Sequence, residues 1–273
     1  MNYHLKALAQ QSSVDKRLNM PRYAFKIEYN GKGFAGWQRQ KDHITVQGEI
    51  ETSLRKLDPD ISSIFGAGRT DAGVHSFGQV AHCDLTKKWE NFKLKEALNF
   101  HLKPQRIAIL DVKAVPDDFH ARFSAIERKY LFRLISRRSP LVLDSGLAWH
   151  VRHELNLEPM LLAKESLIGK HDFTTFRSTS CQSKSPIKTI ESIKITKLMS
   201  NYGHEYQFEF CAPSFLHNQV RSLVGTLEKV GSGMWQAEDV KNALLAKDRS
   251  LCGPVSPPEG LYLTNVIYPK NPF

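Results

Sequence analysis

The chain has 273 residues, 41% of them hydrophobic and 10% aromatic, and its 38 Lys and Arg exceed its 28 Asp and Glu to give a net charge of +10. That composition supports an ordinary buried core and excludes a disordered chain. No run approaches the roughly 18 to 20 apolar residues that a membrane-spanning helix needs, so a spanning protein is excluded too, and the surplus charge favours a polyanionic partner, nucleic acid ahead of a membrane surface.

Residues 1–21 differ in character from the rest of the chain. They carry no long apolar segment and no clear cleavage site, so they do not read as a secretory signal. A poorly ordered N-terminal extension is expected there. From Arg22 to Tyr29 the residues alternate, with Tyr23, Phe25, Ile27 and Tyr29 on one face, which predicts a half-buried strand. Val46, Ile50, Leu54 and Leu57 recur at helical spacing until Asp58-Pro59 stops them. A strand is expected over Gly78–Leu85, a helix through Leu94, Leu98 and Leu102, and a strand over Ile107–Val115. The second part repeats the plan. It has a strand over Tyr130–Ile135 and a helix from Leu157 to Ile168. Neighbouring antiparallel strands over Ile187–Leu198 and Tyr206–Cys211 are joined by a turn at Asn201-Tyr202-Gly203. A long helix carries Leu216, Val220, Leu223, Val224 and Leu227, a shorter one Val240, Leu244 and Leu245, and a last strand spans Leu261–Tyr268. Two αβ halves, 22–117 and 118–273, are expected to pack tightly, because no Gly/Ser linker separates them.

The four cysteines, Cys83, Cys181, Cys211 and Cys252, form no CxxC pair. They read as free thiols of a reducing compartment, not as a disulfide framework or a compact zinc site. Gly31-Lys32-Gly33-Phe34-Ala35-Gly36 matches GxGxxG after a strand, but no helical period begins inside the loop. The N-terminal helix dipole that a dinucleotide requires is therefore missing. The next residues, Trp37-Gln38-Arg39-Gln40, offer a ring, amides and a guanidinium. These suit RNA stacking and phosphate contact, or equally a turn with a core Trp.

The densest segment is Gly66-Ala67-Gly68-Arg69-Thr70-Asp71-Ala72-Gly73-Val74-His75. Its glycines let the backbone come close to a ligand. In an extended stretch Arg69 and Asp71 point to the same side, and an arginine there would keep the carboxylate ionised. An ionised, positioned aspartate is a nucleophile for a sugar or base carbon. The same residues also fit a surface turn with an incidental ion pair.

GAGRTDAGVH closely resembles the active-site motif of the tRNA pseudouridine synthase A family. GWQRQ before it, and PDDFHARFSA, the RKY at Arg128–Tyr130, DFTTFR, FLHNQVRSLVG and EGLYL after it, keep the family's order, so the resemblance spans about Arg22 to Tyr268. It implies an α+β pseudouridine synthase fold, in which two related αβ halves share a central, mainly antiparallel sheet with a basic cleft between them. It implies a cytoplasmic isomerase that acts on tRNA without metal or cofactor, converts uridine to pseudouridine at positions 38 to 40 of the anticodon stem-loop, and works as a homodimer. Motif by motif, Asp71 corresponds to the catalytic aspartate and Arg69 to the arginine that helps turn out the target nucleotide. Tyr130 corresponds to the tyrosine that stacks on the target base and Arg221 to the basic partner of the aspartate. Leu261 corresponds to an apolar residue bordering the base pocket. Gln38 and Arg39 are expected RNA contacts, as are Arg128-Lys129 and Arg137-Arg138. His217, one helical turn from Arg221, either supports the site or caps the helix.

Two other classes compete. One is a noncatalytic RNA-binding protein of the same fold, which has no need of a carboxylate facing phosphates. The other is a glycosidic hydrolase, which needs a second acid near Asp71. Glu49 and Asp84 are the nearest in sequence, and neither sits in a motif.

Overall fold

The structure, a computed structural model, describes residues 20–61, 63–200 and 202–273. Most of the extension expected over residues 1–21 lies outside them.

The first half is built from β1 (Arg22–Tyr29), α1 (Val46–Arg55), β2 (Phe65–Gly66), β3 (His75–Asp84), α2 (Asn91–Leu102) and β4 (Ile107–Val115). The alternation of β1 places Tyr23, Phe25, Ile27 and Tyr29 in a buried cluster with Val46, Ile50 and Leu54 of α1 and Leu94, Leu98 and Leu102 of α2. Helix α1 begins where the side chain of Thr45 accepts the Gly48 N–H, a cap that satisfies an otherwise orphaned donor.

The second half holds β5 (Glu127–Ser136), β6 (Trp149–Val151), α3 (Leu157–Glu165), β7 (Gly169–Asp172), β8 (Ile187–Ile190), β9 (Ser192–Ser200), β10 (Gly203–Ala212), α4 (Gln219–Gly231), α5 (Ala237–Ala246) and β11 (Leu261–Ile267). Phe132 and Leu134 of β5 and Tyr206, Phe208 and Phe210 of β10 share a second core with Leu223, Val224 and Leu227 of α4. Each such side chain contributes roughly 1.5–3 kcal/mol on full burial.

One sheet runs through both halves in the order β4-β1-β3-β11-β5-β10-β9, with β2 on β3 and β6 on β5. The pairings are antiparallel except β3–β11 and β5–β6. The halves meet at β3–β11, where Tyr262 lies beside His75 and Leu263 beside Ser76. The Ser76 hydroxyl fastens this seam. It donates to the Leu263 carbonyl at 2.9 Å and accepts the Gly78 and Gln79 N–H groups at 3.1 and 2.8 Å.

One expected strand is two. Residues 187–198 divide at Glu191: β8 pairs with β7 in a separate two-stranded sheet, while β9 pairs with β10. Ile190 and Ile193 are both buried, and residues three apart cannot share one face of an unbroken strand.

Candidate active site

Asp71 lies in the loop between β2 and β3, and backbone contacts set that loop from behind. The Trp37 N–H donates to the Thr70 carbonyl at 3.0 Å and the Gly73 N–H to the Phe34 carbonyl at 3.3 Å. The buried Tyr29 hydroxyl is 2.8 Å from Thr70 Oγ1. Close packing of the two loops explains the GxGxxG run. A Cβ on Gly31 would collide with the Val74 carbonyl, and one on Gly36, whose φ is +97°, would lie 2.7 Å from the Thr70 oxygen. These glycines admit a second stretch of backbone, not a pyrophosphate, and α1 starts only at Val46. His75 closes the loop as a core residue. Its Nδ1 accepts the Gly31 N–H at 3.0 Å, its ring stacks on Tyr262 at 4.7 Å, and burial pushes its pKa down.

Opposite this loop stands the N-terminal end of α4. Arg221 Nη1 is 3.3 Å from Asp71 Oδ2, across 150 residues of sequence. The same guanidinium donates through Nε to the Ser256 carbonyl at 2.8 Å and through Nη1 to Asn218 Oδ1 at 2.9 Å. The Ser256 N–H returns a bond to the Arg221 carbonyl at 3.1 Å. Residues 253–256 can approach the helix this closely because position 225 is glycine; a Cβ there would collide with the Pro254 carbonyl. The second carboxylate oxygen, Oδ1, lies 3.2 Å from His217 Nε2. The side chains of Asp71 and Arg221 keep only 24% and 15% of their exposure, so the pair is largely desolvated while the carboxylate still reaches the surface. Removing Arg221 would leave a poorly solvated charge alone.

Tyr130 projects from β5 toward the same loop. A Cβ on Gly68 would sit 3.8 Å from its hydroxyl, and its ring meets Phe215 edge-on at 5.2 Å. Burial pushes the phenol pKa up, and the Asp71 carboxylate pushes it the same way against the opposing Arg128 guanidinium, so the O–H stays protonated near neutral pH. Leu261 is buried in the cluster that contains Tyr130 and pairs across the sheet with Phe132. Arg69 is exposed, and its Nη1 donates to Gln182 Oε1 at 2.9 Å. Among the described residues Asp71 pairs with the Arg221 guanidinium and lies against the His217 ring, and does not pair with Arg69. The expectation that Arg69 holds the carboxylate ionised is therefore corrected: that guanidinium crosses to the 182 segment.

One open alternative is decided and one further expectation changes. Trp37 is buried and tilted against Tyr29 at 6.1 Å, so it is a core ring and offers no stacking surface. Gln38 is exposed beside it, while Arg39 pairs at 2.9 Å with Glu51, a carboxylate with no exposure of its own. Arg128, grouped with Lys129 as a surface cation, is buried. Its guanidinium donates to the carbonyls of Ala125, Pro213, Ala67 and Arg122. It shares the inward face of β5 with Tyr130, two residues on, and clamps the strand leading to Asp71.

Sequence reasoning missed Asn218, Ser256, Ser180 and Gln182. Their roles depend on where the backbone turns, and no residue spacing announces them. Outside this site, Glu127, Glu191 and Cys211 bring ligand-type atoms within 4.8 Å of one another. Burial first, and the two carboxylates next, push the Cys211 thiol up to about 12. The thiol donates to Glu191 at 3.3 Å.

The sequence model described as tRNA pseudouridine synthase matches residues 26–124 and 163–269. The chain is 58% identical over 254 residues to the tRNA pseudouridine synthase A of Dinoroseobacter shibae, covering 93% of this chain and 99% of that one. It is 56% identical to the enzyme of the same name from Ruegeria sp. strain TM1040, covering 93% and 98%. Among solved structures, the crystal structure of a Cbf5-Nop10-Gar1 complex is similar at a TM-score of 0.32 and 11% identity, over 76% of this chain and 45% of that chain. The loop and helix that face each other across Asp71 are thus parts of a chain that belongs to the tRNA pseudouridine synthase family.

Proposed function

We infer that this protein isomerises uridine to pseudouridine in tRNA, at positions 38 to 40 of the anticodon stem-loop, acting in the cytoplasm as a homodimer and needing no cofactor. Family membership supports the reaction and the substrate. One observation carries the assignment to this site: an aspartate whose two carboxylate oxygens meet Arg221 and His217, in a loop that the Tyr130 hydroxyl approaches at Gly68.

The reaction breaks the N1–C1′ bond, turns the uracil, joins C5 to C1′, releases the C5 proton and leaves N1 protonated by solvent, so that atoms and charge balance. Asp71 acts as nucleophile at C1′ or C6, or as the base of an elimination at C2′. Arg221 holds its carboxylate ionised and limits its rotamers. The target base must first leave the stack, at a cost of about a few kcal/mol. Stacking on Tyr130 recovers about 1–3 kcal/mol. Arg69 gives up one exposed hydrogen bond to Gln182 and fills the vacated space, where its planar guanidinium stacks and contacts phosphate. Leu261 borders the base, and Gln38 and Arg39 lie along the RNA path. The net charge of +10 supplies salt-sensitive attraction that carries little sequence information, so the choice among adjacent uridines rests on RNA shape.

The test uses a tRNA transcript tritiated at uracil C5. The native protein is expected to release tritium, and Asp71→Ala to bind the RNA equally well while releasing it at least about 10³-fold more slowly. Transcripts carrying a single uridine at position 38, 39 or 40 define the target. Binding without release by either protein would leave a noncatalytic RNA-binding module.

A further inference from the structure

The chain enters α4 through an unusual residue. Asn218, the N-cap, has φ 61° and ψ 5°, a left-handed conformation that asparagine tolerates better than most residues. Its side chain makes no capping bond and instead accepts from Arg221. This turn brings His217 to the same carboxylate that Arg221 holds, Nε2 to Oδ1 at 3.2 Å.

His217 is itself fixed from a third part of the chain. Its Nδ1 is 3.2 Å from Ser180 Oγ, and Ser180 Oγ is 2.9 Å from Ser178 Oγ. The Ser178 N–H donates to the His217 carbonyl at 3.0 Å, and the His217 N–H meets Cys181 Sγ at 3.5 Å. With the Ser180 hydroxyl donating to Nδ1, the ring proton of the neutral imidazole sits on Nε2, facing Asp71.

We propose that His217, held in its Nε2–H tautomer by Ser180, is a second positioning residue of Asp71. This rests on the reading that Asp71 carries the isomerisation. Arg221 reaches Oδ2 at 3.3 Å, a long bond that by itself lets the carboxylate rock about its Cβ–Cγ bond. A second partner, 3.2 Å from Oδ1, narrows that motion and holds the remaining lone pairs in one direction, and a displacement of about 1 Å costs on the order of 10²-fold in rate. The 178–182 segment then bears on the site twice, through Ser180 on His217 and through Gln182 on Arg69.

The experiment compares His217→Ala, His217→Gln and Ser180→Ala in the full chain, measuring tritium release at saturating and limiting tRNA, tRNA affinity by filter binding and the thermal midpoint. His217→Ala is expected to lower kcat about 10- to 100-fold, with tRNA affinity held within about twofold and the midpoint unchanged. His217→Gln, which keeps a donor at similar reach, should recover most of that loss, and Ser180→Ala should fall between Gln and native. A native kcat in His217→Ala overturns the proposal. So does an equal loss in Ala and Gln, and so does a loss confined to affinity, which would make His217 an RNA contact. If native protein releases no tritium, the function assigned to Asp71 fails first and the role of His217 falls with it.

Discussion

The two sides of the candidate site are built by different means. The loop that carries Asp71 is positioned by main chain against main chain: Trp37 N–H on the Thr70 carbonyl, Gly73 N–H on Phe34, and glycines where a Cβ would collide. The start of α4 also has main-chain support, Ser256 N–H on the Arg221 carbonyl and Gly225 against Pro254, but what it presents to Asp71 is held by side chains, with Arg221 spread over Ser256, Asn218 and Asp71. A backbone-built wall has few intermediate settings, because a misfit moves whole loops. A wall built of side chains can lose one hydrogen bond and keep its shape. Damage to the first should therefore appear as lost stability together with lost activity, and damage to the second as lost rate alone.

The sharpest way to break the contrast is Gly31→Ala. Its Cβ has no room beside the Val74 carbonyl, and overpacking against backbone of this kind costs about 3 kcal/mol. Urea unfolding should show that loss, with tritium release falling in parallel; full stability would mean that the loops can part freely. On the other wall, Arg221→Lys replaces a planar fork with a point charge that cannot reach three acceptors at once. A kcat loss of about 10²-fold, near 2.7 kcal/mol, is expected with little change in the urea midpoint.

The smallest effect is a pH dependence of stability. Burial first, then the His120 and Arg22 charges, lower His82 from its ordinary 6.5 to about 4. The unfolded chain therefore binds a proton below pH 6.5 that the folded chain refuses until about pH 4. Stability from this residue is whole above 6.5 and drains away as pH falls through that window, by on the order of 2 kcal/mol after screening. His82→Gln should flatten the urea midpoint between pH 6.5 and 4 and leave kcat at neutral pH alone. An unchanged slope would place the titration elsewhere.

Much of this fold was legible because apolar spacing survives in the sequence. The bounds of β1 come directly from alternation, those of β4 from an apolar run, and α1 and α2 from leucine and isoleucine at helical intervals. β2, β6 and β7 were not legible: two to four residues become a strand only because a partner lies alongside. The site divides in the same way. Alternation marks Tyr130 as inward-facing, but it cannot say that the core there opens onto Asp71. Arg128, two residues earlier, lies on that inward face, yet a pair of adjacent cations reads as surface. Composition did not decide whether the Trp37 ring faced in or out; the structure turns it in, against Tyr29. The meeting of Asp71 with Arg221 spans 150 residues, beyond any spacing rule, and motif resemblance alone linked them beforehand.

The seam fastened by Ser76 has a consequence for how the protein is made. Ser76 meets Leu263 across 187 residues, and β11, last in chain order, lies in the middle of the sheet between β3 and β5. On a ribosome each half can gather much of its own core as it emerges, but the stretches of β3 and β5 that pair with β11, beyond those taken by β2 and β6, stay open until residue 267 is free. Exposed strand edges are adhesive, and long-range closure is slow. A nascent chain halted before β11 would therefore hold two folded lobes and no assembled site, and its fate would be aggregation or capture by a chaperone, not partial activity.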